Sequence, residues 1–282
     1  IQEHLSYLIG VGSQQDEISE EDELRELINE VQKILTDLNV QDNLENRLDE
    51  IVNRCHEYVN RVGLSSNLDR EKARKLIIVS RILSLCTLLD RHNRFLDTTL
   101  RYLDQIIDYA NDPADRISGY LLKALLLNGV DKPDKALKEA ESAVNLAKGK
   151  AKSSLERANN DWAYYLAEYA DKLRREGEDF SSLINRKGYA EKLLKKIYRN
   201  ARDQDFKYNA LDTLGFLHIV FGETEDEVMK GLYECKKAFE NSQGRTREAM
   251  EPYWRKHRRR AYERLLEIVE KEEKPLMEKW PA

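Results

Sequence analysis

The stretch LDTLGFLHIVFG, Leu211 to Gly222, decides how the rest of the chain is read. Its apolar residues have helical spacing, yet Gly215 stands in the middle, where glycine is less favourable than alanine by about 1 kcal/mol. A second helix passing too close for a side chain would offset that cost. Leu211, Leu214, Gly215 and His218 fall on one side of this helix, Gly222 stops it, and Val228, Leu232 and Cys235 carry a return helix. The segment therefore predicts a helical hairpin with Gly215 in its seam.

The same pattern extends outward in both directions. Leu24, Leu27, Ile28, Val31, Leu35 and Leu38 recur at three- and four-residue steps, and Leu44, Leu48, Ile51, Val52, Cys55, Val59 and Val62 repeat them after a break at 40–43. LIIVSRILSLCTLL, Leu76 to Leu89, is apolar almost all round and predicts a central, buried helix. Phe95, Leu96, Leu100, Leu103, Ile106 and Ile107 continue to about Ala110, after which Asp112 and Pro113 suit a helix cap and first turn. Tyr120 to Leu127, a loop at 128–133 and a second helix with Ala136, Ala140 and Ala143 make the clearest hairpin. A further one runs from about Ser153 through Leu166–Leu173 to Tyr189, Ala190, Leu193, Leu194 and Ile197. A long last helix shows Met250, Tyr253, Trp254, His257, Ala261, Leu265 and Ile268 on its apolar face. No segment alternates with a period of two, so the fold class expected is all-α.

Aligned on the small residue in the first helix of each later hairpin, Ser84, Ala124, Ala167 and Gly215 correspond, about 40, 43 and 48 residues apart. YLLKALLL…DKALKEAESAV and LDTLGFLHIVFG…EDEVMKGLYEC resemble the tetratricopeptide repeat (TPR), with its Leu-Gly or Leu-Ala pair in the first helix and alanine stripe in the second. The resemblance is good over 115–147 and 208–240, moderate over 153–200 and weak over 20–110. The repeats exceed the family's usual length and lack its terminal proline, so the array is divergent. The DTLGF segment is also similar to repeats in the C-terminal sensor arms of bacterial STAND-type signalling and defence proteins. The resemblance implies a right-handed superhelical alpha-solenoid of antiparallel helical hairpins. Its expected parts are an acidic linker at 1–23, degenerate hairpins at 24–110, TPR-like repeats at 111–244 and a capping helix and tail at 245–282.

With 35% charged residues, 41% apolar residues and a mean hydropathy of -0.71, the composition is that of a well-solvated helical protein. No run approaches a membrane span and no signal-peptide pattern opens the chain, so a cytoplasmic location is expected. Beginning at Ile1 rather than Met, the chain reads as part of a longer or processed protein. Cys55, Cys86 and Cys235 are odd in number and far apart, which fits buried free thiols better than a disulfide framework or CxxC metal spacing. The net charge of -5 hides an asymmetry. Residues 1–50 hold fourteen Asp/Glu against Arg25, Lys33 and Arg47, whereas Arg245–Arg260 holds seven Lys/Arg against Glu248 and Glu251.

Motifs for chemistry are incomplete. HEYVN at His56–Asn60 lacks the second histidine of a zinc helix, GVGSQ at Gly10–Gln14 lacks the third glycine of a dinucleotide fingerprint, and AKGKAKS at Ala147–Ser153 lacks the glycine and hydroxyl of a phosphate loop. His4, His92 and His257 are scattered, while His218 lies on an apolar face as either a hydrogen-bonded core residue or a pH-sensitive contact. No enzyme, cofactor or metal is expected. The run Arg255, Lys256, Arg258, Arg259 and Arg260 suits a solvated basic face or, with Tyr253, Trp254 and Tyr262, a nucleic-acid or anion patch; Glu251–Arg255 and Arg259–Glu263 have ion-pair spacing.

The solenoid implies a concave surface lined by the first helix of each hairpin. If the resemblance holds, Arg81, Leu121, Leu125, Asn128, Tyr164, Glu168, Asp171, Asn209, Asp212 and Phe216 face it. Chaperone-tail binders of the family clamp a carboxylate with lysines and asparagines, whereas Glu168, Asp171 and Asp212 favour a basic or mixed apolar protein or peptide, with Tyr164 and Phe216 as anchors. The expectation is a non-catalytic protein- or peptide-binding scaffold that serves as the sensing or assembly arm of a larger protein. Its alternatives are self-association of the acidic end with the basic helix and nucleic-acid binding by that helix.

Overall fold

The computed structural model describes residues 22–36, 43–63, 67–151 and 154–272; residues 1–21 of the linker expected at 1–23 and residues 273–282 of the capping helix and tail expected at 245–282 lie outside them. The described residues form helices without a strand, apart from an isolated parallel bridge between Leu68 and Ala110. None of these helices is long and apolar enough to cross a membrane. The chain divides into two compact units, Ile1–Ala158 and Asn159–Ala282. That division falls within one helix, whereas the sequence reading set its boundaries at 110/111 and 244/245.

The first unit contains α1 (Asp22–Thr36), α2 (Leu44–Val62), α3 (Arg70–Leu89), α4 (Leu96–Tyr109), α5 (Pro113–Gly129) and α6 (Pro133–Lys150). The apolar helix α3 is central, packing against α1, α2, α4 and α5. Two of its buried hydroxyls bond to the helix's own backbone, Ser84 donating to the Ser80 carbonyl at 2.7 Å and Thr87 to that of Leu83 at 2.8 Å, and Thr87 also lies 3.1 Å from the Thr99 hydroxyl of α4. Asp112 caps α5 through the Ala114 amide and Pro113 occupies its first turn, as the sequence predicts. Against α5 packs α6, whose Ala136, Ala140, Ala143 and Ala147 are all buried.

From α7 (Leu155–Glu176) the chain enters the second unit, with α8 (Ser181–Asn200), α9 (Gln204–Phe221), α10 (Glu225–Asn241) and α11 (Gly244–Glu272). Asp203 caps α9 and Thr224 caps α10; the Glu227 carboxylate closes the latter turn by accepting from the Glu223 amide, a bond that holds its pKa below the usual range. The LDTLGFLHIVFG helix is central here, with every residue from Ala210 to Phe221 buried, and it packs on α8, α10 and α11.

The Gly215 question has a geometric answer. A Cβ at 215 would lie 2.6 Å from both the Gly231 carbonyl oxygen and Cys235 Sγ, and one at Gly231 would lie 2.5 Å from the Gly215 oxygen. Two glycines face each other, so the α9 and α10 backbones approach as closely as a helix pair can, and contact along that seam offsets the lost helix propensity.

Candidate functional site

One face of the second unit gathers most of its buried polar chemistry. The last helix, α11, follows α10 after two residues and lies along α9 and α10: Ala261 and Ile268 pack with Ile219, Val228, Leu232 and Cys235, and Met250 packs with Leu211 and Ala238. Helical periodicity then carries Lys256, His257, Arg260 and Arg264 toward the interior, because they share a stripe with Ala261 and Ile268.

Two of these cations meet acids on α7, and a third shares an acid of α11 with an arginine of α7. Lys256 donates to Glu168 and sits 5.8 Å from the Tyr164 ring centre. Arg260 pairs with Asp171 at 3.1 Å and with Glu263 at 2.5 Å. Arg264 pairs with Glu267 and donates to the Gly222 carbonyl at 2.6 Å, while Arg174 of α7 approaches the same Glu267 at 3.8 Å. The steps of four on α11 (256, 260, 264) and of three on α7 (168, 171, 174) make a ladder between the two helices.

Burial sets its electrostatics. Desolvation raises the Asp171 carboxyl pKa against the pull of Arg260, and desolvation together with Arg264 lowers that of Arg174 to about 10. Desolvation also works against Arg260, but Asp171 and Glu263 outweigh it and raise its pKa. The ladder thus fixes how α11 registers on α7 more than it adds net stability.

Next to the ladder, His257 is fully buried and stacks on Phe216, ring centres 4.2 Å apart and planes 15° from parallel. Its Nδ1 lies 3.1 Å from Asp212 Oδ1 and 3.6 Å from Cys235 Sγ; Nε2 has no hydrogen-bond partner. Burial, reinforced by Asp212, raises the Cys235 thiol pKa well above its ordinary value. This cluster is not a nucleophile–base relay. Such a relay needs the nucleophile on one ring nitrogen and the orienting carboxylate on the other, whereas here both groups address Nδ1.

His218 is held between carboxylates, Nδ1 2.5 Å from Glu234 and Nε2 3.7 Å from Glu191. Burial works against the Glu191 charge, yet Lys195 and His218 prevail and keep its pKa low.

Of the residues expected on a concave face, Glu168, Asp171, Asp212 and Phe216 come together here; Phe216 is fully buried and each carboxylate has a partner on α11. Tyr164 and Asn209 are half-buried, Tyr164 in ring contact with Phe216 and Tyr253. In the first unit, Leu121, Leu125 and Asn128 are buried and Arg81 is half-buried. The physical reason is α11: its apolar stripe packs on α9 and α10, and that sets Lys256, His257 and Arg260 against these acids. The expected basic patch is divided for the same reason. Lys256 and Arg260 are turned inward, while Arg255, Arg258 and Arg259 remain exposed and, with Tyr262, line an open hollow of about 350 Å³. Arg255 pairs with Glu251 at 2.5 Å and Arg259 with Glu263 at 3.8 Å, both at four-residue spacing.

No protein-family model, curated protein or solved structure matches the chain. Function is therefore argued from the residues. Sequence reading passed over the inward partners of the ladder, although Lys256 and Arg260 against Glu168 and Asp171 already show complementary charges at helical spacing on two amphipathic helices.

Proposed function

We propose that the chain is a non-catalytic helical-repeat scaffold of divergent TPR type that recognises another protein, and that the outer face of α11 is its contact surface. The observation that carries this reading is the division of α11 into two faces. Lys256, His257 and Arg260 are taken up inside the unit, whereas Arg255, Arg258, Arg259 and Tyr262 surround an exposed hollow. Arginine and tyrosine are the residue types that most often dominate interface energetics.

The chemistry of that face suits an acidic segment with apolar or aromatic residues. A basic partner was expected on the strength of Glu168, Asp171 and Asp212; within the chain Glu168 and Asp171 pair with Lys256 and Arg260, and Asp212 lies 3.1 Å from His257 Nδ1. In a larger protein such a surface would serve a sensing or assembly arm.

Selection of peptides from a random display library on the purified chain tests the reading. The expected consensus is acidic with an aromatic or aliphatic neighbour, with affinity that falls as salt rises. A basic consensus, or no enrichment, contradicts it. Tight, sequence-independent capture of a DNA or RNA duplex, with a steep salt slope, would replace it with nucleic-acid binding.

A further inference from the structure

We infer that Asp212, Cys235 and His257 form a metal site of the zinc class, with one ligand on each of α9, α10 and α11. One carboxylate oxygen, Cys235 Sγ and a ring nitrogen of His257 all lie within 4.8 Å of one another, and all three residues are buried. The ligand types are those zinc takes, and this mixed thiolate, imidazole and carboxylate set disfavours the hard cations magnesium and calcium.

The two separations at His257 fit as well. With zinc bonds of ordinary length, adjacent ligands of a tetrahedron stand about 3.3 to 3.6 Å apart. The Nδ1–Oδ1 and Nδ1–Sγ separations are 3.1 and 3.6 Å. Gly215 makes the arrangement possible, because a Cβ there would lie 2.6 Å from Cys235 Sγ. The three residues are far apart in sequence, which is why no motif announces them.

Binding requires a thiolate, so the Cys235 proton leaves as the metal enters and the cation replaces it as the charge that stabilises sulfur in a buried place. Ligation at Nδ1 moves the ring proton to Nε2, which has no acceptor. That cost holds the affinity below that of closed four-ligand sites, in which second-shell partners take this proton. The metal would tie α11 to α9 and α10, independently of what the outer face of α11 binds.

The test uses the whole chain, reduced and freed of metal with a chelator, and titrates it with Co²⁺ as a spectroscopic probe and then with Zn²⁺. The expected result is one equivalent of Co²⁺, a sulfur-to-cobalt charge-transfer band in the near ultraviolet, displacement by Zn²⁺, and a rise in the unfolding midpoint with Zn²⁺. Cys235→Ala should remove the band, and His257→Gln should weaken binding by about tenfold or more. The double variant Cys55→Ala/Cys86→Ala should keep the band, because those thiols lie outside the cluster. Circular dichroism reports whether each variant is folded, and if His257→Gln is not, Asp212→Asn takes its place with the same expected loss. Absence of a charge-transfer band in the unaltered chain overturns the inference, as does a band that survives Cys235→Ala or disappears with Cys55→Ala/Cys86→Ala.

Discussion

The α5–α6 and α9–α10 hairpins contain the two stretches expected to resemble the TPR signature best, and they differ in what they bury. Aligned on Ala124 and Gly215, Leu121 corresponds to Asp212 and Leu125 to Phe216. All four are buried. In the first unit those positions are apolar, and Leu125 belongs to the unit's continuous core cluster. In the second they carry a carboxylate and a ring, both engaged by His257 of α11. At these four buried positions, the residue decides whether burial recruits polar partners.

The seams differ in the same way. Gly119 of α5 faces Ile106 and Ile107 side chains, which an added Cβ would meet at 3.1 Å, whereas Gly215 faces backbone at 2.6 Å. A side chain can rotate away; a helix backbone moves only with its whole element. Gly215→Leu should therefore cost about 3 kcal/mol, the upper part of the usual range for overpacking. Gly119→Ala should cost about 1 kcal/mol or less, with the gain in helix propensity offsetting a small shift of the isoleucines. Denaturant unfolding of the two variants measures both values. Equal costs would mean the two seams are alike after all.

Making the second hairpin resemble the first at the buried polar position should have an intermediate effect. Asp212→Leu removes the one carboxylate on His257 and should lose about 1 to 3 kcal/mol, the penalty of a buried polar group without its partner. Asp212→Leu combined with His257→Phe keeps an aromatic ring against Phe216 and removes the orphaned imidazole, so it should recover most of that loss. If the double variant is no more stable than the single one, the polar pair does more than satisfy itself.

Much of the fold is legible in the sequence because helical periodicity is local: the central position of α3, the cap at Asp112–Pro113 and the close approach at Gly215 all follow from runs of fewer than about twenty residues. The candidate site was harder to read. Glu168 and Lys256 are 88 residues apart and Asp212 and His257 are 45 apart. On a single amphipathic helix, an outward acid and an inward acid with a basic partner look the same. Only the packing of α11 turned Lys256 and Arg260 inward and left Arg255, Arg258 and Arg259 outside. A face inferred from repeat geometry alone takes no account of a later helix that covers it.

The division of α11 into an inner and an outer face is the central claim, and reversing the charge of the outer face alone tests it most directly. The variant Arg255→Glu/Arg258→Glu/Arg259→Glu changes only exposed side chains and breaks two surface pairs worth about 0.3 to 0.5 kcal/mol each. Its unfolding midpoint should stay within a few degrees, about what a change of 1 kcal/mol produces, while binding of an acidic partner peptide is abolished. Unfolding of the second unit, or peptide binding that persists in the folded variant, would contradict the account.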